Sequence, residues 1–321
     1  MPHLLLTLCL LLTGCSSADQ TTHQTRYMMG TLVEFSIYGA DEERADAAIT
    51  AAAAEMERIN HLFTTHSDSP VTRFNRGERS LPDEVSKLLQ ISEQIRQQSG
   101  GAFNPWLGAL NRAWGFSDDL PDNRPLPSAR QITTLLPPDS CRTEGAPNKQ
   151  LHNRRCQLDF GGIAKGYAID RGIATLKAHN IRNAIINAGG DMRIIGSHGD
   201  RAWRIGIRHP RRAEQVIATL RLAGDISVVT SGDYERFIIR DGRRYHHILD
   251  PATGEPARGT MSSSVVAKSA TLADGWSTAL FVLGRAGLQR VERAGLAGLV
   301  VDSYGRVYSS SGMQRWMSNR E

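Results

Sequence analysis

Residues 159–166 read Asp-Phe-Gly-Gly-Ile-Ala-Lys-Gly: a carboxylate, three glycines and a cation. They stand where an apolar strand end (Cys156, Leu158, Phe160) gives way to helical spacing over residues 167–176. A glycine-rich turn that opens a helix offers backbone N–H groups and a positive dipole end, which suits a phosphate, and Lys165 adds a mobile cation there. Asp274 and Thr278, in Ala273-Asp274-Gly275-Trp276-Ser277-Thr278, are four apart and share one helical face. A carboxylate and a hydroxyl one turn apart can both ligate a hard cation such as Mg²⁺. His246-His247-Ile248-Leu249-Asp250-Pro251 brings imidazoles to a strand end before a sharp turn, where a histidine is well placed to act as a base near neutral pH.

Each signal alone has an ordinary reading. Asp274 also suits a helix cap and Thr278 a helix surface. Asn187-Ala188-Gly189-Gly190-Asp191 reads as a tight turn with a polar tip, and Thr230-Ser231-Gly232-Asp233-Tyr234 as a turn into a second strand. A lone histidine on a strand is usually structural.

The elements that must hold these residues are legible in outline. Alternating Val33, Phe35 and Ile37 mark a strand over Thr31–Tyr38. Residues 41–63, Ala-rich with an acidic first turn, and 83–98, stopped by Gly100-Gly101, read as helices. Residues 67–82 read as a loop and 118–128, with three prolines, as a surface excursion. Strands are expected over 184–187, 203–208, 216–222, 227–230, 237–240, 245–249 and 263–267, with a hairpin turn at Asp241-Gly242. Helices over 272–283 and 288–294 precede a closing hairpin of 299–302 and 306–308. Helices and mostly adjacent strands alternate irregularly, which predicts an α+β fold with mixed or antiparallel sheets and flanking helices, not a doubly wound sheet.

The 321 residues allow a sizeable core in one large domain or two intertwined lobes. With 40% apolar and 22% charged residues the chain is an ordinary globular protein. The net charge of +5 comes with arginines spread along the chain, which argues against a nucleic-acid partner. Residues 4–12 form an apolar run of signal-sequence length, followed by Leu12-Thr13-Gly14-Cys15, which is similar to a bacterial lipobox, although Met-Pro-His before the run lacks Lys or Arg. The expected organisation is a signal peptide over 1–14, a lipidated Cys15 with a polar tether through 26, and a domain over 27–321. The expected location is the periplasmic side of a bacterial membrane, lipid-anchored, inner in preference to outer. Cys141 and Cys156 either pair in that oxidising compartment or stay as separate thiols.

Taken in order, these motifs resemble the ApbE family of FAD:protein FMN transferases. The likeness runs from Met29-Gly30-Thr31 through Ser99-Gly100-Gly101-Ala102-Phe103-Asn104-Pro105, Trp114-Gly115-Phe116, the 159–166 turn, Gly189-Gly190-Asp191, Thr230-Ser231-Gly232-Asp233-Tyr234, His247 to Gly254 and Ala273 to Thr278. The resemblance implies two lobes around a central FAD cleft. It implies that a Thr or Ser hydroxyl of an acceptor flavoprotein, an exported or membrane respiratory or electron-transfer protein, attacks the FMN phosphorus of FAD. AMP leaves and a phosphoester forms. It implies Mg²⁺ held by Asp274, Thr278 and the Gly162 carbonyl, FAD lined by Met29, Ala102, Phe103, Asn104, Asp159, Lys165 and Ile248, and His247 as the base, with His246 as its possible double. The family usually has Asp where Asn104 stands, so a charge is lost there, and Gly275 replaces a common Ala. The competing expectations are a Mg²⁺-dependent FAD pyrophosphatase giving FMN and AMP, and a lipoprotein that only binds FAD.

Overall fold

The computed structural model describes residues 21–78, 80–116, 125–141 and 153–317. In chain order these form β1 (Thr21–Met28), β2 (Thr31–Tyr38), α1 (Glu42–Phe63), α2 (Pro70–Asn75), α3 (Asp83–Gln98), α4 (Gly108–Trp114), α5 (Ala129–Leu135) and α6 (Ala164–Ala178). Then come β3 (Ala184–Ala188), β4 (Asp191–Ile195), β5 (Trp203–His209), β6 (Arg212–Leu222), β7 (Ile226–Gly232), β8 (Phe237–Arg240), β9 (Arg243–His246), β10 (Thr260–Ala267), α7 (Ala270–Leu283), α8 (Leu288–Arg293), β11 (Ala297–Asp302), β12 (Val307–Ser309) and α9 (Ser311–Gln314).

Eight strands make one sheet in the order β1-β2-β3-β4-β7-β10-β11-β12, and every neighbouring pair is antiparallel. Its two faces sort by strand alternation. Val229, Val265 and Val300 point into a large core with α1, α6 and α7. Their neighbours Val228, Val266, Leu299 and Val301 point the other way, into a second core closed by the β5–β6 hairpin and Met313 of α9. The two parts expected around a cleft are two apolar layers that share this sheet. At about 1.5–3 kcal/mol for each fully buried Val, Leu, Ile or Phe, burial on both faces makes the central strands rigid.

The helices follow their sequence signals closely. Asp41 caps α1 by accepting from the Arg44 N–H (2.9 Å), and the buried stripe Ala45, Ala48, Ile49, Ala52, Met56, Ile59, Phe63 has helical period. Small side chains let α6 come close: a Cβ on Gly172 would lie 2.9 Å from Met56 Sδ and Ile186 Cδ1.

Several expectations are corrected. Residues 21–26, read as tether, lie in β1 and pair with β2 from Thr21↔Tyr38 to Met28↔Thr31. The loop over 67–82 contains α2, whose Ser69 capping box and Pro at the helix start are a complete N-terminal signal. The strand expected over 245–249 ends at His246, and His247 adds one last rung through its N–H to the Arg236 carbonyl (3.1 Å). β4 starts at Asp191, read as the end of a turn, and was not expected as a strand; α4 and α5 were not expected, and the last hairpin is followed by α9. Cys15, the signal segment and residues 118–124 of the surface excursion lie outside the described residues.

Cys141 and Cys156 are joined in a disulfide, both buried against the helical core. It ties the chain just before the glycine-rich turn to Cys141, six residues beyond the end of α5. Replacing both cysteines by Ala should lower stability by about 3 kcal/mol, the loop-closure value for a span of this length. Chemical denaturation of the double variant measures it, and an unchanged midpoint would refute it.

Candidate functional site

Two helix N-termini meet at backbone distance. A Cβ on Gly166 would lie 2.2 Å from the Ala270 carbonyl oxygen and 2.8 Å from Asp274 Cβ, so only glycine allows α6 and α7 to touch there. The Gly166 N–H donates to Asp274 Oδ2 (2.8 Å). Asp170, one turn further along α6, receives Ser269 Oγ (2.7 Å), Ala270 N–H (2.8 Å), Thr271 N–H (3.0 Å) and Thr271 Oγ1 (2.6 Å). A carboxylate on one helix thus caps the other and compensates its dipole. Arg193 of β4 holds Asp170 from the sheet side (2.5 Å) and also reaches Asp225 (2.8 Å).

This clasp sets the positions of the reactive groups. Thr278 Oγ1 lies 3.5 Å from the Gly162 carbonyl oxygen and 3.5 Å from Ser231 Oγ. Phe103 backs the same turn: a Cβ on Gly162 would be 3.3 Å from its ring. Ser231 and Ser277 are hydrogen-bonded (2.8 Å), and Ser277 Oγ donates to the Asp274 carbonyl (2.9 Å). Asp274, 4% exposed, has its pKa pushed up to about 7 by burial first and then by the nearby charge of Asp191. Asp191, 2% exposed, accepts from Lys165 Nζ (2.8 Å) and from the Thr230 N–H (3.2 Å). Burial opposes the charge on Lys165, but Asp191 and Asp274 outweigh it and its pKa is raised.

Among the described residues, no three His, Cys, Asp or Glu side chains form a metal cluster. The donors that do converge are all oxygens: the Asp274 carboxylate, the Thr278 hydroxyl and the Gly162 carbonyl. Two buried acids in mutual repulsion with one ammonium between them also favour added positive charge. This set fits a hard cation that keeps waters or takes phosphate oxygens.

The two histidines separate cleanly. His246, 4% exposed, accepts from the Ile248 N–H at Nδ1 (3.3 Å), so Nε2 carries the proton and donates to the Ala257 carbonyl (2.8 Å). Both nitrogens are engaged, its ring sits edge-on to Phe281, and its role is structural. His247 is half-buried and bonds the Arg236 carbonyl through Nδ1 (3.2 Å). A carbonyl only accepts, so Nδ1 holds the proton and Nε2 presents a lone pair. Burial, Arg236, His246 and Lys165 lower its pKa to about 4, so it is neutral at pH 7.

The other expected residues are placed variously. Met29 (φ 54°) and Gly30 (φ 72°) form the two-residue β1–β2 turn, and a Cβ on Gly30 would be 3.4 Å from Arg236 Nη2. A left-handed methionine costs on the order of 1 kcal/mol, so that turn is held by its surroundings. Both oxygens of Asp159 are engaged, with the Gly161 N–H (2.7 Å) and Asn111 Nδ2 (2.8 Å), which shapes the glycine-rich turn. Asn104 Oδ1 accepts the Trp106 N–H (3.0 Å). Ala102 is buried in the large core, and Ile248 packs with Ala257 and Phe281 in a separate small cluster. Asp191, Ser231 and Ser277 were not singled out from the sequence. The glycine pair before Asp191 was the available signal.

The ApbE family model matches residues 29–300. An FAD:protein FMN transferase of Rhodobacter capsulatus is 33% identical over 276 residues, covering 84% of this chain and 52% of that protein, so the chain spans about half the length of that relative. An FAD:protein FMN transferase of Treponema pallidum is 36% identical over 286 residues, 80% of this chain and 77% of that protein. The crystal structure of the ApbE protein of Thermotoga maritima superposes with a TM-score of 0.83 at 31% identity, covering 94% of this chain and all of that one (100%).

Two outcomes follow from the geometry. Gly166→Ala forces α6 away from α7 and should cost about 1–3 kcal/mol or more, read as a fall in the denaturation midpoint; a neutral result would refute the contact. A proton-NMR titration should place the His247 ring near pH 4. Because the unfolded ring binds its proton near 6.5, stability should fall as pH drops through the window from 6.5 to 4. A His247 pKa at or above 6.5 would contradict the burial argument.

Proposed function

This chain belongs to the ApbE family, and from that premise we propose that it transfers FMN from FAD to a Thr or Ser hydroxyl of an acceptor flavoprotein, releasing AMP. The observation that carries the reading is the convergence of Asp274, Thr278, the Gly162 carbonyl and Lys165 at the joined N-termini of α6 and α7, with a neutral base, His247, within the electrostatic reach of Lys165. A site that only stored FAD has no need of an imidazole held in one tautomer.

Lys165 and the positive end of α6 attract the diphosphate of FAD. Asp274, Thr278 and the Gly162 carbonyl would hold Mg²⁺. When bound, that ion neutralises charge on the diphosphate and on the departing phosphate. Phe103 closes the turn on one side and keeps water from it. The Arg236 carbonyl orients His247 through Nδ1, and Nε2 takes the proton of the attacking hydroxyl. The new O–P bond to the FMN phosphorus forms as the bond to the AMP phosphate breaks, and AMP leaves with the electron pair. An anionic diphosphate beside His247 raises its basicity from the low value of the free site.

The same reading places the protein outside the cytoplasm on a lipid at Cys15. The apolar run before Leu12-Thr13-Gly14-Cys15 and the Cys141–Cys156 disulfide support it.

Incubation with FAD, Mg²⁺ and an exported flavoprotein should add the mass of an FMN phosphoester to the acceptor, and EDTA should abolish it. His247→Ala should slow transfer about 10²–10⁴-fold while FAD binding stays within a factor of a few. AMP and free FMN with no acceptor modified would favour hydrolysis instead, and full activity in His247→Ala would remove the base from the mechanism.

A further inference from the structure

The β8–β9 hairpin stands apart from the main sheet as a two-stranded ribbon, and its end leads directly to His247. The turn Asp241-Gly242 has positive φ at both residues (50° and 71°), so Arg240↔Arg243 is a bonded pair and Ile239↔Arg244 is not. The backbone groups of Ile239 and Arg244 therefore point away from the ladder. On the β9 side the Arg258 guanidinium donates to the Arg244 carbonyl (3.3 Å) and covers that edge. Among the described residues no strand pairs with the outer edge of β8. That strand is Phe237-Ile238-Ile239, with Phe237 38% and Ile239 54% exposed; the hairpin's own side chains only partly screen it, Arg240 Nη1 donating to the Ile239 carbonyl (3.2 Å) and the Arg244 guanidinium lying 4.1 Å from the Phe237 ring centre, and no strand among the described residues occupies it.

Its charge is one-sided. Residues 236–246 hold four arginines and one aspartate, and Arg258 adds a fifth guanidinium over Tyr245. Asp233 is shared by Arg211 and Arg244. Arg243 and Arg258 have no carboxylate partner among the described residues, and burial together with Arg243 depresses the pKa of Arg258. At the open end of the ribbon the Arg236 carbonyl accepts from both the N–H and Nδ1 of His247. A strand laid along β8 would run from the arginine-rich tip to the base.

We propose that the outer edge of β8 docks an extended, acidic segment of the acceptor protein by strand addition, delivering its hydroxyl residue to His247. The inference rests on the transferase reading. Backbone pairing to Phe237 and Ile239 supplies affinity, and the arginines select carboxylates and fix direction.

Ile239→Pro removes an outward N–H and leaves the hairpin's own ladder intact, while Arg243→Glu reverses an exposed charge. Each variant is checked for folding by circular dichroism and thermal midpoint. The probes are two labelled extended peptides with one threonine each, one flanked by aspartates and one by lysines, with binding read by anisotropy and FAD affinity by flavin fluorescence. The expected result is that the aspartate peptide binds wild type better, that both variants weaken it about tenfold, and that FAD affinity is unchanged. Equal binding of the two peptides, or retained binding in both variants, overturns the proposal. Loss of FAD affinity in Arg243→Glu also overturns it, by assigning the hairpin to FAD. Peptide binding without mass gain on any flavoprotein acceptor would count against the transferase reading alone.

Discussion

The contact between Gly166 and Ala270 is the constraint on which the site depends. With no side chain between them, two helix N-termini approach until a backbone N–H of one reaches a carboxylate of the other. Asp170 then ties the first turn of α7 to α6 by four hydrogen bonds, and Arg193 carries the tie into the sheet. Thr278, Asp274, Gly162 and Lys165 come from segments far apart in sequence, and their spacing is only as firm as this junction. Placing them on helices packed over a sheet buried on both faces gives the site a rigid base.

The junction concentrates charge as well as backbone. Asp274 and Asp191 are both almost wholly buried, and one ammonium serves them. In a low-dielectric setting this leaves a strong demand for cations and explains the raised pKa of Asp274. Across the site, partial burial together with the charges of Arg236 and Lys165 works in the opposite sense on His247 and keeps the imidazole uncharged. An acid driven up and a base driven down, each by its surroundings, is the pattern expected of groups that bind and move charge.

Much of this was legible in the sequence where the signal is local. The α1 and α3 spans were readable because caps, periodicity and the terminal glycines all agree. Asp274 and Thr278 were readable as a pair because four residues make one helical turn. Asp191 was not, because its meaning comes from Lys165 and Thr230, which only the fold brings near. The choice between His246 and His247 was open for a related reason: adjacent residues of one type differ only in what they face. β4 was missed because five residues after a glycine pair carry too little alternation to outweigh the turn signal. The end of the expected strand at His246 matters most, since it leaves His247 at the last rung of the ladder, with its backbone N–H and its ring both bonded to the Arg236 carbonyl.

The pairing of β1 with β2 from Thr21 onward has a mechanical meaning. With the lipid proposed at Cys15, only Ser16 to Gln20 would separate the membrane from a folded strand. Five residues fully stretched reach roughly 18 Å. Such an enzyme would work on a short leash, sampling a thin shell of space above the bilayer, and substrates that do not themselves come down to that shell would never meet it.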